Sequence, residues 1–405
     1  MQTEPIQIFR RGLGLKHEVA ELLDQDYASQ VVDFFKINDY RLQVGEISLF
    51  LAREFGFCYG VDRAVDYAYQ TRKKFPDRRI FLTGEIIHNP HVNRRMLEMG
   101  IRFLTGQYSD GISYEDLQED DVVILPAFGV TQQEMELLRA KGCVLVDTTC
   151  GSVLNVWKRV EQYAQDGFTA IIHGKYWHEE TRATSSQATK YPGGHYLVVL
   201  DMAETELVCD YIGGRWNKTD FMRKFEKAVS PGFDPDVHLQ KVGLANQTTM
   251  LSSESLAIAD RIRVEMERKY GKDHLDEHFR TFDTICSATQ DRQDAVLELV
   301  KNEQLDLMLV IGGYNSSNTN HLAEIAQQYT AAYHIDDASC LMSPEQLRYK
   351  PVHEDAEKVA HHWLPSGPAR IGLTAGASTP NNKIGEVVAR LAEFQGVSLK
   401  EILEQ

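Results

Sequence analysis

Three of the six cysteines stand where a thiol can do chemistry. Cys58 lies in EFGFCYGVDRAVDYAY, flanked by glycines and followed by apolar residues at helical spacing. Cys150 lies in LVDTTCGSVLNVW, between a strand end and a helix start. Cys286 lies in FDTICSATQDRQDAV, again at the front of a helix. The first turn of a helix presents unpaired N–H groups and the positive end of its dipole, both of which stabilise a thiolate. Three such thiols far apart in the chain suggest convergence on a metal centre. Two centres fit. A cubane iron–sulfur cluster held by three cysteines leaves one iron without a protein ligand, able to act as a Lewis acid. Three cysteines and a histidine could instead hold structural zinc. Zinc sites usually show closely spaced ligand pairs and the chain has no CxxC, which favours the cluster, although spacing alone does not choose. Three unrelated buried cysteines remain a third reading. Cys143, Cys209 and Cys340 have no unusual neighbours and read as small hydrophobes.

The elements that must position these thiols recur along the chain. A short apolar strand, a polar or glycine-containing turn and an amphipathic helix follow one another. DVVILPAFG leads into TQQEMELLRAKG, with Gly142 as helix stop, and LDLMLVIGG leads through YNSSNTN into HLAEIAQQY. ARIGLTAG leads through ASTPNN into KIGEVVARLAEF. This alternation predicts α/β units with mostly parallel sheets, and on the cluster reading of the thiols the expected fold is three similar α/β domains arranged around a central iron–sulfur cluster. Ligands gather beyond the carboxyl ends of such strands. The polar turns there read as the lips of one shared site. The expected divisions are 47–149 with Cys58, 150–275 with Cys150, and 276–405 with Cys286 and a C-terminal segment. Residues 1–46 read as a peripheral extension and 213–240 as an insertion.

Composition narrows the partners. The 405 residues are 43% hydrophobic and carry a formal net charge of −16. That charge argues against nucleic acid or an anionic membrane as the main partner. No apolar run is long enough to span a bilayer. The start lacks the apolar core of a signal peptide and the acid-poor character of a transit peptide, so a cytoplasmic location is expected, or a plastid if this is a mature plant form. The cysteines are too few and scattered for a disulfide scaffold.

From about residue 54 to about residue 395 the chain resembles the 4-hydroxy-3-methylbut-2-enyl diphosphate reductases, the last enzymes of the methylerythritol phosphate route to isoprenoids. GFCYGVDRA, EIIHNP, DTTC, HEE, NQTTML, TICSATQDRQ, NSSN and TAGASTP occur in the family's order. The extension and the HGKYWHEET form resemble the cyanobacterial and plant-plastid branch. The resemblance implies a [4Fe–4S] cluster on Cys58, Cys150 and Cys286, and reductive loss of the substrate's allylic hydroxyl as water, yielding isopentenyl and dimethylallyl diphosphates. Glu180 matches the family's acid. A carboxyl near an anionic diphosphate and cluster is expected to hold its proton to a higher pH than usual. Thr248 matches a threonine that touches the reacting hydroxyl and relays protons. His88 and His178 match phosphate-binding histidines. Ser316, Ser317, Asn318 and Ser378 come from motifs that follow strands and precede helices, a ready anion-binding geometry, with Pro380 at an early helical position. Taken without the resemblance, the ordinary readings come first: a solvated turn for Glu180, a helix N-cap or strand-end threonine for Thr248, a structural role for each histidine, and a turn and N-cap for Ser316 to Asn318.

Two places depart from the family pattern. A diphosphate-binding histidine of many bacterial members is replaced by Phe128 in PAFGV. Phenylalanine cannot donate a hydrogen bond, so it is expected to pack on the substrate skeleton or on a neighbouring loop. HGKYWHEET is two residues longer than the common form. The reaction needs an electron donor, expected to be ferredoxin or a similar carrier, and a homodimer is plausible. A hydro-lyase using the open iron without net redox change, and a cluster-based sensor of a phosphorylated ligand, are the alternative classes. Reductant demand and product formation discriminate them.

Overall fold

Short apolar runs such as Val122–Leu125 and Leu307–Ile311 are buried along their whole length, as strands covered on both faces must be. They belong to a computed structural model that describes residues 7–282 and 284–404. Residues 1–6 of the N-terminal extension and Asp283 and Gln405 of the third expected segment lie outside the described residues. The fold is α/β with mostly parallel sheets, as expected. The chain divides into two compact units, one of Met1–Arg10, Asp77–Gly84 and Arg102–Cys286, the other of Arg11–Pro76, Glu85–Ile101 and Ser287–Gln405.

The first unit is built on two sheets. One orders its strands Ile8–Phe9, Val144–Asp147, Val122–Leu125, Ile80–Leu82 and Ile101–Phe103. The other orders Phe279–Thr281, Val242–Asn246, Thr169–His173 and Tyr196–Val199, all parallel. Helix Gln132–Lys141 starts at a Thr131–Glu134 capping box and ends at Gly142, the expected stop, in the left-handed region.

The second unit carries the sheet Ala331–Ile335, Leu307–Ile311, Ala369–Ala375, Ile47–Leu51 and Arg41–Val44, antiparallel only at its last pair. A small antiparallel sheet of Leu341–Ser343, Gln346–Tyr349 and Lys358–His361 completes it.

The linear divisions at 46, 149 and 275 cut across this pairing. Strand Ile47–Leu51, which leads to Cys58, pairs with Ala369–Ala375 from the far end of the chain. Parallel strands need no adjacency in sequence, so a linear reading could not assign this one. Neither peripheral segment is peripheral. In the extension, Ile8–Phe9 pairs with Leu145–Val146, and Val31, Val32 and Phe35 are buried in the core around strand Ile47–Leu51. In the insertion, Phe221, Phe225 and Phe233 are core residues. Residues 228–230 also bond the edge strand, Val198 N donating to Ala228 O at 2.7 Å and Ser230 N to Tyr196 O at 3.1 Å. Covering an edge removes its free pairing groups.

Candidate active site

In the unit that carries Cys58, strands Leu307–Ile311, Ala369–Ala375 and Ile47–Leu51 end side by side. Hydrogen bonds tie their continuations into one cradle. Gly56 N donates to Ala375 O and Cys58 N to Ala377 O, each at 3.1 Å. Ala377 N donates in turn to Asn318 Oδ1 at 2.9 Å, and Ser378 Oγ to the His88 carbonyl at 3.1 Å. Cys58, His88, Asn318 and Ser378 are therefore brought together, along with Ser316 and Ser317 next to Asn318.

Glycine permits this crowding. A Cβ on Gly313 would stand 2.7 Å from the His88 carbonyl oxygen. Gly312 has φ +145°, and a Cβ there would stand 2.3 Å from Thr379 Oγ1. Ser316 caps helix Ser317–Gln327, accepting from Thr319 N at 3.3 Å, which leaves its hydroxyl proton to donate. Asn318 is buried, and its Nδ2 meets no hydrogen-bond partner among the described residues. A buried donor left unpaired costs about 1–3 kcal/mol, and this one can serve an acceptor from outside the chain. His88 Nδ1 lies 3.0 Å from Glu85 Oε2.

The other unit carries Cys150, His178, Glu180, Thr248 and Cys286. Cys150 is the N-cap of helix Gly151–Gln165, with its N–H donating to Ala127 O at 2.8 Å and no side-chain cap bond. His178 is the N-cap of helix Glu179–Ala188, its Nδ1 accepting from Glu180 N at 3.1 Å. Glu180 is 3% exposed, and its Oε1 accepts from Thr248 N. The expected acid and the expected relay are thus direct neighbours, although 68 residues apart. Asn246 N donates to Thr284 Oγ1 at 3.2 Å, tying the segment before Cys286 to the strand before Thr248. Phe128 meets the His178 ring edge-on at 6.2 Å between centroids, so it packs on a neighbouring loop.

The sulfur atoms separate into two classes. All six cysteines are free. Cys143, Cys209 and Cys340 are buried, and burial pushes the Cys143 thiol up to about 11 and the Cys209 thiol up to about 12. Cys58, Cys150 and Cys286 are half-buried; Cys58 and Cys150 are N-caps, and Cys286 directly precedes helix Ser287–Asn302. Accessible thiols at the start of helices fit an anionic sulfur ligand, so these three suit a cluster and the other three do not.

Two residues escaped the sequence reading. Gln247 is fully buried. Its Oε1 accepts from Lys175 N at 3.1 Å and Thr181 Oγ1 at 3.0 Å, and its Nε2 donates to Thr249 Oγ1 at 2.7 Å. It thereby joins the turn before Thr248 to the segment that carries His178 and Glu180. Arg292 clamps the turn before Cys58. Both lie inside the quoted motifs NQTTML and TICSATQDRQ, and that was the one available signal.

The sequence profile of the LytB protein family matches residues 49–392. The chain belongs to the LytB family. The 4-hydroxy-3-methylbut-2-enyl diphosphate reductase of Thermosynechococcus vestitus is 49% identical over 391 residues, covering 96% of this chain and 95% of the relative. The enzyme of that name from Acaryochloris marina is 45% identical over 405 residues, covering 98% and 96%. The match to the Acaryochloris marina enzyme thus extends over the N-terminal segment. A solved structure of (E)-4-hydroxy-3-methyl-but-2-enyl diphosphate reductase, the terminal enzyme of the non-mevalonate pathway, superposes with a TM-score of 0.52 at 27% identity. It covers 85% of this chain and 99% of its own. No helix among the described residues is long and apolar enough to cross a membrane.

Proposed function

We propose that this chain reduces 4-hydroxy-3-methylbut-2-enyl diphosphate to isopentenyl and dimethylallyl diphosphates, using a [4Fe–4S] cluster held by Cys58, Cys150 and Cys286. The observation that carries the reading is the cradle around Cys58. The proposed cluster ligand and the buried, unpaired Asn318 donor hang on the two ends of one residue, Ala377. Anion binding and sulfur ligation share a support.

The reaction consumes two electrons and two protons. One C–O bond breaks, its oxygen leaves as water, and a C–H bond forms on the allyl skeleton. The cluster, when bound, supplies single electrons and Lewis acidity toward oxygen. The chain's own groups do the rest. Asn318, Ser316, Ser317, Ser378, His88 and His178 orient the diphosphate as hydrogen-bond donors. Glu180, buried beside Thr248, delivers the proton that lets the oxygen depart, and the Thr248 hydroxyl passes it on by donating and accepting. Gln247 holds these two in register. Phe128 cannot donate a hydrogen bond, so diphosphate binding leans on the other donors. Electrons come from ferredoxin or a similar small carrier. In this reading the protein works in the cytoplasm, or in a plastid for a mature plant form, and as a homodimer.

The test is anaerobic purification, counting of iron and sulfide, and assay with the hydroxylated diphosphate and reduced ferredoxin. About four irons per chain, as a [4Fe–4S] cluster demands, with both five-carbon diphosphates formed only when reductant is present, support the reading. Turnover without reductant would point to a hydro-lyase. An iron-free, zinc-bound protein that stays inactive after reconstitution would overturn the proposal.

A further inference from the structure

Arg292 is 4% exposed, and each of its hydrogen bonds goes to a backbone carbonyl. Nε reaches Gly56 O at 3.2 Å, and Nη2 reaches Gly56 O at 2.8 Å, Phe57 O at 3.3 Å and Phe55 O at 3.4 Å. Nη1 reaches Ala288 O at 2.7 Å. Among the described residues it forms no ion pair. Buried charges are normally paired, because carbonyl dipoles satisfy N–H groups but leave the net charge uncompensated. The position of this cation is informative. The three clamped carbonyls are those directly before Cys58, and the helix that carries Arg292, Ser287–Asn302, begins with the residue after Cys286. Arg292 therefore ties the turn before Cys58 to the first turn of the helix that follows Cys286, and the charge it lacks is the charge the proposed sulfur ligands would bring.

We propose that Arg292 is a positioning residue for the cluster, pinning the Cys58 turn to the helix after Cys286 and supplying a buried positive charge that makes the cluster easier to reduce. The inference rests on the cluster reading above. Guanidinium suits both tasks. Its rigid fork can hold several carbonyls at once, which an ammonium cannot, and its charge persists at any working pH. Net charge and hydrogen bonding near the sulfurs are the levers by which a protein sets a cluster's potential.

R292K keeps the charge and loses the fork, whereas R292Q loses the charge. Two readouts separate these parts. Amide hydrogen exchange of the full chain, cluster-bound or cluster-free, is expected to speed up about tenfold or more at Gly56 and Cys58 in both variants. Amides of helix Asn381–Phe394 serve as the unchanged control. The midpoint potential of the cluster, titrated by electron paramagnetic resonance, is expected to stay near the parent in R292K and to fall in R292Q. Loss of iron from R292Q but not from R292K supports the same assignment. Parent-like exchange at Gly56 and Cys58 in both variants would refute the positioning role, and a parent-like potential in R292Q would refute the charge. A parent without a cluster signal would sink the cluster reading itself, before any variant is compared.

Discussion

Glu180 and Thr248 meet directly: the Thr248 backbone N–H donates to Glu180 Oε1, and both residues are buried. The bond holds the Glu180 carboxyl beside the Thr248 backbone. In E180Q the amide oxygen can still accept from Thr248, so the fold and cluster content should persist while turnover drops about 10²–10⁴-fold, the usual range for a lost acid. Iron content, product formation and thermal melting of the same preparation check this.

The cradle beside Cys58 makes a separate prediction about binding. N318D keeps the oxygen that accepts from Ala377 N but replaces the unpaired Nδ2 donor with negative charge. Losing a charge-assisted hydrogen bond costs about 1.5–3 kcal/mol, so KM for the diphosphate should rise at least about tenfold with iron content unchanged. Steady-state kinetics read the change, and an unaltered KM would remove Asn318 from the binding set.

The six cysteines should divide by function. C58S, C150S and C286S are each expected to lose cluster absorbance and most iron. C143A, C209A and C340A should retain both, at a stability cost of about 1–2 kcal/mol from lost packing. Iron analysis of all six variants after anaerobic reconstitution tests the assignment.

Gly312 supports the NSSN turn under tight constraint. With φ +145° and a Cβ that would lie 2.3 Å from Thr379 Oγ1, G312A should destabilise the protein by about 2–3 kcal/mol. Urea unfolding of the two chains measures it, and a change under about 0.5 kcal/mol, the ordinary surface value, would contradict the crowding.

Acid stability should depend on His334. Its ring is fully buried, with Nε2 2.8 Å from the Gly312 carbonyl oxygen, and burial pulls its pKa down to about 4. An unfolded histidine titrates near pH 6.5, so below that pH the unfolded chain binds the extra proton. Stability is thus intact above about pH 6.5 and declines as pH falls toward about 4. The loss from this group is on the order of 3 kcal/mol at most. His195 and His238, also lowered by burial, act in the same direction. Unfolding midpoints between pH 7 and 4 should fall less steeply in H334Q than in the parent; equal slopes would exclude His334 as a source.

Much of this protein is decided locally. Short continuous apolar runs between turn residues suit strands buried on both faces, so the α/β class followed from segments such as LMLVI and VVIL alternating with amphipathic helices. Gly142 and Thr131 set the ends of their helix by their own chemistry. The thiols worth following were those at helix starts, because backbone N–H groups there act on the adjacent sulfur whatever the rest of the fold does. Tertiary structure decided what depends on partners distant in the chain. Strand Ile47–Leu51 pairs with Ala369–Ala375, which places Cys58 beside Asn318 and Ser378, and nothing in residues 47–58 specifies that neighbour. The same holds for Gln247 and Arg292, whose side chains have common donors and acceptors. Their roles come from burial against particular backbone groups, and burial is a property of the assembled chain, not of its local pattern.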